Sequence, residues 1–198
     1  MILLRHGQSE FNAAFTQARR DPGIVDAPLT ALGHAQAEAA AARLAAADAP
    51  AITRIIASPY LRALQTAAPI ARRLRLGVEI SPLVRERFKF ACDIGTPRSA
   101  LAEAWPRHDF SAVEEFWWPH REEGAAGVIE RAARFRALHA GTPDHHGTLV
   151  ISHWGFILAM TGQSIGNGEC VACDPAAAAP ETLLWQAPRP RPPAAEPQ

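Results

Sequence analysis

The tripeptide Arg5-His6-Gly7 places a candidate nucleophile beside a cation, directly after a short apolar run. Residues 2–4 are typical of a buried strand, so His6 would stand on the tight turn where that strand ends. Gly7 permits a close backbone approach, and a helix beginning just beyond would direct its amide groups at an anion. A neutral imidazole is a competent nucleophile when a hydrogen bond holds its other nitrogen. The tripeptide alone is explained equally well by an arginine–histidine pair that caps a strand end.

Arg62 and His153 follow two further apolar runs. Arg62 lies in a helical pattern that comes after the strand predicted over 52–57, and His153 directly follows the apolar run 148–152. Taken singly, Arg62 reads as a surface arginine and His153 as a packed core residue. In open α/β sheets, however, ligands bind at the carboxyl ends of the strands. Two arginines and two histidines at that edge would surround a dianion with positive charge and donors, as phosphoryl transfer requires.

Short apolar runs alternate with helical patterns along the chain, which predicts an α/β fold. We expect a single-domain three-layer sandwich, with a largely parallel central sheet flanked by helices. Strands are predicted at 2–4, 52–57, 78–80 and 148–152. Helices are predicted at about 8–18, 31–47, 59–68 (with no clear end at Pro69 before residue 74), 128–140 and 155–161. Thr30 and Ser58 are the expected N-caps of the second and third helices, with Pro59 at the first helical position.

The bulk composition is that of an ordinary globular domain. The chain has 198 residues, which suits one core. Lys+Arg and Asp+Glu each total 20, so no global field would draw the protein to nucleic acid or to a membrane. The apolar run at residues 1–4 is too short for a signal peptide or a membrane span, so the expected location is cytoplasmic.

The cysteines Cys92, Cys170 and Cys173 are odd in number and poor material for a disulfide framework. Cys170 and Cys173 form a C-x-x-C pair, but a zinc or redox site would need a second ligand pair, for which only His145-His146 lies nearby. We interpret the pair as two free thiols. The sequence predicts no metal site and no cofactor.

The segment from Leu4 to Asn12, LRHGQSEFN, resembles the signature of the histidine phosphatase superfamily, also called the phosphoglycerate mutase-like family. Three further segments agree with that family in its order: 26–37 (DAPLTALGHAQA), 58–67 (SPYLRALQTA) and 150–155 (VISHWG). Each block alone is moderately specific. Four blocks in the family's order, spanning nearly the whole chain up to residue 155, are strong evidence for the resemblance.

The resemblance implies a role for each matching residue. His6 matches the nucleophile that becomes phosphorylated, and Arg5, Arg62 and His153 match the groups that hold the phosphoryl oxygens. Asn12 matches a lesser phosphate contact. The expected substrate-binding residues are Asn12, Gly7, Gln8 and Trp154.

The resemblance also implies a general acid in the loop after the third strand. Glu86, within LVRERF at 83–88, is the best match, and Glu79 is a weaker competitor. The alternative is that Glu86 is a solvated side chain in a charge-rich loop, because geometry rather than sequence decides which group is the acid.

The chain departs from the family pattern at Trp154 and near Glu86. Trp154 stands where the family usually has small residues. Its ring would narrow the entrance to the active site, stack on a substrate ring, or pack beneath the site. The Glu-Arg-His-Tyr sequence of the glycolytic mutases is absent after Glu86, as is an obvious arginine pair for a bisphosphate. These departures favour a hydrolase over a mutase.

Residues 84–127 form an insert in which basic and aromatic side chains alternate. One interpretation is a lid that selects an anionic or aromatic phosphoester. The simpler one, which we prefer, is a satellite core beneath a long loop.

The sequence therefore predicts a metal-independent phosphatase that hydrolyses a small-molecule phosphate monoester through a phosphohistidine on His6. The alternatives are phosphoglycerate mutase-type transfer and a catalytically silent module that binds a phosphorylated ligand. The expected catalytic domain covers 1–186, and the Pro-rich tail at 187–198 is expected to be disordered.

Overall fold

The computed structural model describes residues 1–186, apart from the side chains of residues 143 and 144. The predicted tail at 187–198 lies outside the described residues. Within them the chain forms a sheet of five strands in the order β3-β2-β4-β1-β5. The strands are β1 (Ile2–Arg5), β2 (Arg54–Ala57), β3 (Val78–Ile80), β4 (Thr148–Ser152) and β5 (Cys170–Ala172).

The first four strands are parallel, and β5 runs antiparallel to β1. In the register, Arg5 pairs with Ser152 and Ala57 pairs with Ile151. The carboxyl ends of β1, β2 and β4 are therefore level with one another. This alignment brings the residues that follow these strands to one edge of the sheet.

Two helical layers cover the sheet, which confirms the three-layer α/β sandwich. The helices are α1 (Glu10–Ala18), α2 (Ala31–Leu44), α3 (Leu61–Leu74), α4 (Arg98–Ala104), α5 (Ala125–His139) and α6 (Trp154–Thr161). Alternate side chains point to opposite faces of a strand. Leu3 thus packs with α5 and α6, whereas Leu4 packs with α2 and α3.

The prediction for the start of α3 is wrong. The helix begins at Leu61, not at Pro59, and the Ser58 hydroxyl accepts only the Tyr60 amide at 3.4 Å. The reason is a long-range contact, because the Asp26 carboxylate accepts the Leu61 amide at 2.9 Å and satisfies the first turn. Thr30, by contrast, caps α2 as predicted, accepting the Gly33 amide at 3.0 Å.

Several boundaries also differ from the prediction. β2 begins at Arg54, α2 ends at Leu44, and α5 begins at Ala125. Helix α3 continues through Pro69 to Leu74. The short helix α4 and the edge strand β5 were not predicted, and neither has a strong periodic pattern.

Several aromatic residues of the insert form a small second core against α3 and β3. Phe110, Val113 and Trp117 are buried there with Tyr60 and Leu64. This packing agrees with the satellite-core interpretation of the insert. No helix within residues 1–186 is both long enough and apolar enough to cross a membrane.

Candidate active site

His6 lies on the turn after β1 and is almost completely buried, with 3% of its surface exposed. Its Nδ1 atom is 2.6 Å from the carbonyl oxygen of Gly7. A carbonyl oxygen only accepts, so Nδ1 carries the hydrogen and the Nε2 lone pair is left for attack. Burial, reinforced by the charges of Arg62 and Arg5, holds the pKa of His6 well below its usual range. His6 is therefore neutral at physiological pH.

Gly7 holds this turn because the backbone of α2 passes directly against it. A Cβ atom on Gly7 would lie 2.4 Å from the carbonyl oxygen of Gly33, so no larger residue fits. The Gly7 amide donates to the Thr66 hydroxyl at 3.1 Å. The turn that carries His6 is thus fixed by α2 on one side and by α3 on the other.

His153 follows β4, is fully buried, and places its ring centroid 4.9 Å from that of His6. Neither ring nitrogen has a hydrogen-bond partner among the described residues. Burial, together with Arg62, holds the pKa of His153 well below its usual range. Buried polar atoms are ordinarily paired, so the unpartnered ring beside His6 is suited to hold an oxygen atom of a ligand.

Arg62 is the second residue of α3 and is 3% exposed. Its guanidinium donates to the Cys92 carbonyl at 2.8 Å and to the Asp93 carboxylate at 3.2 Å. It also lies 4.3 Å above the centroid of the Tyr60 ring. Asp93 in turn accepts the backbone amides of Lys89 and Phe90, so the insert fixes the Arg62 guanidinium from behind.

Arg5 is the last residue of β1 and directly precedes His6. One guanidinium nitrogen donates to the Ile165 carbonyl at 2.8 Å, whereas the buried Nε has no partner among the described residues. Burial lowers the pKa of Arg5 to about 10, which leaves the side chain charged at neutral pH. Both arginines therefore present positive charge beside the neutral ring of His6.

Glu86 meets the amino end of α6, next to His153. Its Oε1 atom accepts the Arg87 amide at 2.7 Å and the Gly155 amide at 2.9 Å. Burial raises the pKa of the Glu86 carboxyl, and the nearby Asp93 raises it further. A carboxyl whose pKa is raised inside a site is suited to carry a proton at working pH.

Arg131 of α5 holds the loop that carries Glu86. Its guanidinium donates to the carbonyls of Leu83 and Arg85, at 2.8 Å each, and pairs with Glu123 at 2.8 Å. The competing candidate Glu79 lies elsewhere. It projects from β3 as a half-exposed side chain in an ion pair with Arg54.

The other side chains that were predicted to bind substrate form hydrogen bonds to other groups of the protein. Asn12 accepts the Ser9 amide at 3.1 Å as part of a capping box for α1. Gln8 accepts the Thr30 hydroxyl at 2.9 Å. Trp154 donates its indole hydrogen to the Ser164 hydroxyl at 2.7 Å. A direct role of these residues in binding substrate stays a prediction.

Two residues beside the site were missed by the sequence analysis. Asn167 donates to the His6 carbonyl at 3.0 Å and to the Asn12 side chain at 3.1 Å. The Asn167-Gly168 pair is a turn signal, and Gly168 has a φ of +73°, so the turn itself was predictable. The second is Asp93, whose pairing with Arg62 has no local signal in the sequence.

Cys92, Cys170 and Cys173 form no disulfide in the part of the chain that the structure describes. Within the described residues no group of three or more His, Cys, Asp or Glu side chains is arranged to hold a metal ion.

Comparison with known proteins identifies the family. The sequence profile of the histidine phosphatase superfamily (branch 1) matches residues 1–170. The chain belongs to the histidine phosphatase superfamily. Three of the four signature blocks that suggested this resemblance carry His6, Arg62 and His153.

Relatives within the histidine phosphatase superfamily include both phosphatases and mutases by name. A Proteus mirabilis protein named "probable phosphoglycerate mutase GpmB" is 34% identical over 163 residues, which cover 77% of this chain and 68% of the relative. A glucosyl-3-phosphoglycerate phosphatase of Mycolicibacterium vanbaalenii is 29% identical over 181 residues, covering 84% and 74%.

Solved structures show the same fold. The mycobacterial glucosyl-3-phosphoglycerate phosphatase in complex with VO3 superposes with a TM-score of 0.60 at 22% identity, over 95% of this chain and 99% of that one. At this identity the likeness supports the architecture of the histidine phosphatase domain and nothing finer.

Proposed function

We propose that this histidine phosphatase superfamily member is a phosphatase that hydrolyses small-molecule phosphate monoesters through a phosphohistidine on His6. The observation that carries the proposal is a neutral His6, held through Nδ1 by the Gly7 carbonyl, close to the buried Arg62, the half-buried Arg5 and the unpartnered His153. The oxygen atoms of a phosphoryl dianion would accept hydrogen bonds from the guanidinium groups and from the His153 ring. We propose residues 1–186 as the catalytic domain.

The first step transfers the phosphoryl group to the protein. The Nε2 atom of His6 attacks phosphorus in line and forms an N–P bond, while the ester P–O bond breaks. Arg5, Arg62 and His153 hold the equatorial oxygens, where negative charge must be balanced. Glu86, in its protonated form, gives its proton to the departing alkoxide oxygen.

The second step returns His6 to its starting state. A water molecule attacks the phosphorus of phosphohistidine, and the N–P bond breaks. The ionised Glu86 takes one proton from that water and is ready for the next cycle. Inorganic phosphate leaves the site, so the net reaction consumes one ester and one water.

A mutase of the same superfamily is the second candidate, because the Proteus mirabilis relative carries that name. A mutase would return the phosphoryl group from His6 to a second position on the substrate. The sequence after Glu86 runs Arg-Phe-Lys-Phe and lacks the Glu-Arg-His-Tyr segment of the glycolytic mutases, which favours hydrolysis.

The proposal is tested by phosphate release from a panel of phosphorylated metabolites and p-nitrophenyl phosphate, measured with and without EDTA. We expect turnover that is insensitive to chelation, because the arginines supply the positive charge, and inhibition by vanadate, which mimics pentacoordinate phosphorus. Turnover that needs an added bisphosphate would support the mutase instead. If activity were lost in EDTA and restored by an added metal ion, the arginines would not be the source of the positive charge.

Arg62→Ala should lower kcat/KM by about 10²–10³, the effect of removing one preorganised charge contact from a dry site. The variant also leaves the buried Asp93 without its partner, which should cost about 3–5 kcal/mol of folding stability. Both effects can be measured, by steady-state kinetics below the melting temperature and by thermal unfolding.

The matched control is Arg72→Ala, because Arg72 also lies on α3 but is exposed and pairs with the exposed Glu38. This variant should differ little from the wild type in either measurement. If Arg62→Ala retained full kcat/KM, the proposed phosphate site would be misplaced.

A further inference from the structure

Trp185 is brought back to the active site by the chain that follows β5. Its indole ring lies 4.5 Å from the Arg87 guanidinium carbon and 5.6 Å from the Trp154 ring. A Cβ atom on Gly155 would meet the same ring at 3.4 Å and the Glu86 carboxylate at 2.5 Å. Trp185 therefore stands within contact distance of the elements that surround the Glu86 carboxyl.

Both backbone amides that hold Glu86 belong to residues next to Trp185. The Arg87 amide and the Gly155 amide donate to Glu86 Oε1. The Arg87 guanidinium is stacked on the Trp185 ring, and the edge of the ring faces the Cα atom of Gly155 closely enough that an added Cβ atom would touch it. The ring therefore borders both residues whose amides orient the carboxyl group.

The segment that carries Trp185 is attached at both of its ends. Near its start, Arg136 of α5 donates to the carbonyls of Asp174 and Ala177, at 3.0 Å each. At its end, the Gln186 carbonyl accepts the Ser164 hydroxyl at 2.8 Å, and that hydroxyl accepts the Trp154 indole hydrogen. Trp185 is thus held in place rather than merely resting on the surface.

We propose that Trp185 is a positioning residue for Glu86, which fixes the two amides that orient the carboxyl group and excludes water from it. This inference rests on the proposed function, in which Glu86 is the proton donor. The charged groups that act on the Glu86 carboxyl from the neighbouring elements are Arg5, Arg62, Asp93 and Arg131. A substitution at Trp185 changes none of these side chains, and the Arg87 guanidinium that stacks on the ring stays bound to the Glu123 carbonyl at 2.7 Å. An effect on Glu86 would therefore arise from hydration and orientation.

Trp185→Ala should lower the pKa of Glu86, because water admitted to the carboxyl favours its charged form. The titration of Glu86 is followed by ¹³C NMR of its carboxyl carbon in the ligand-free protein, assigned by comparison with Glu86→Gln. In turnover, the alkaline limb of the pH profile for an alkyl phosphate should move to lower pH. The rate at neutral pH should fall about tenfold, a part of the roughly 10²–10⁴-fold that a general acid contributes.

Trp185→Phe keeps a ring over Arg87 and Gly155 and should restore most of both the pKa and the rate. Leu184→Ala is the matched control, since the neighbouring Leu184 side chain is 70% exposed and should change neither. An unchanged Glu86 pKa in Trp185→Ala would overturn the positioning role. A wild-type protein without turnover would instead contradict the proposed phosphatase, and the NMR titration would still decide the role of Trp185.

Discussion

His6→Ala is expected to abolish both turnover and the covalent phosphoprotein. The wild-type enzyme, quenched during turnover of a ³²P-labelled ester, should carry a phosphoryl group that is labile in acid and stable in base, as an N–P bond is. His6 is the buried imidazole whose Nδ1 hydrogen bonds to the Gly7 carbonyl, which leaves Nε2 to attack. Without it, the first of the two displacements has no nucleophile.

The control for this experiment is His34→Ala, since His34 is an exposed histidine on α2. It should retain full activity and full labelling. His153→Ala provides a second comparison, because it removes an oxygen contact while His6 remains, so turnover should fall but a labelled protein should still form. Persistent turnover in His6→Ala would refute the phosphohistidine mechanism.

The sheet edge that carries the site could be predicted because its signals are local. Short apolar runs predicted β1 and β4, and the residue after each run was His6 or His153. The parallel register then aligns the ends of these strands without further information from the chain. The positions of two site residues thus followed from strand ends alone.

The groups that hold the site depend on contacts distant in the chain and could not be read from local patterns. Asp26 caps α3 from 35 residues away, and Asp93 pairs with Arg62 from 31 residues away. The turn at Asn167 reaches back to the His6 carbonyl. Tertiary contacts of this kind replace the local cap that Ser58 would have supplied.

The choice between Glu79 and Glu86 also depends on a contact that is distant in the chain. Glu79 lies on β3, where its side chain points outward, whereas the chain turns between Pro82 and Val84 before it reaches Glu86. The Ser152 hydroxyl donates to the Val84 carbonyl at 2.7 Å and ties this turn to the end of β4. Glu86 is brought to the site by that contact, which no spacing in the sequence indicates.

Glu86→Gln should slow the transfer of the phosphoryl group from alkyl phosphates by about 10²–10⁴, the usual contribution of a positioned general acid. The same variant should slow transfer from p-nitrophenyl phosphate by less than about tenfold, because p-nitrophenolate leaves without much help from a proton donor. The amide oxygen of glutamine can still accept the Arg87 and Gly155 amides, so the substitution keeps the shape and removes the proton.

Single-turnover rates of the first step are the measurement that separates the two substrates. Steady-state rates would also include the hydrolysis of phosphohistidine, in which Glu86 acts as a base and its loss affects both substrates equally. Glu79→Gln is the control, since Glu79 is bound to Arg54 on the surface and should leave both rates unchanged. Equal slowing of both substrates in the first step would mean that Glu86 orients the substrate or supports α6 without donating a proton. No slowing of either would transfer the acid role to another carboxyl near Arg62, beginning with Asp93.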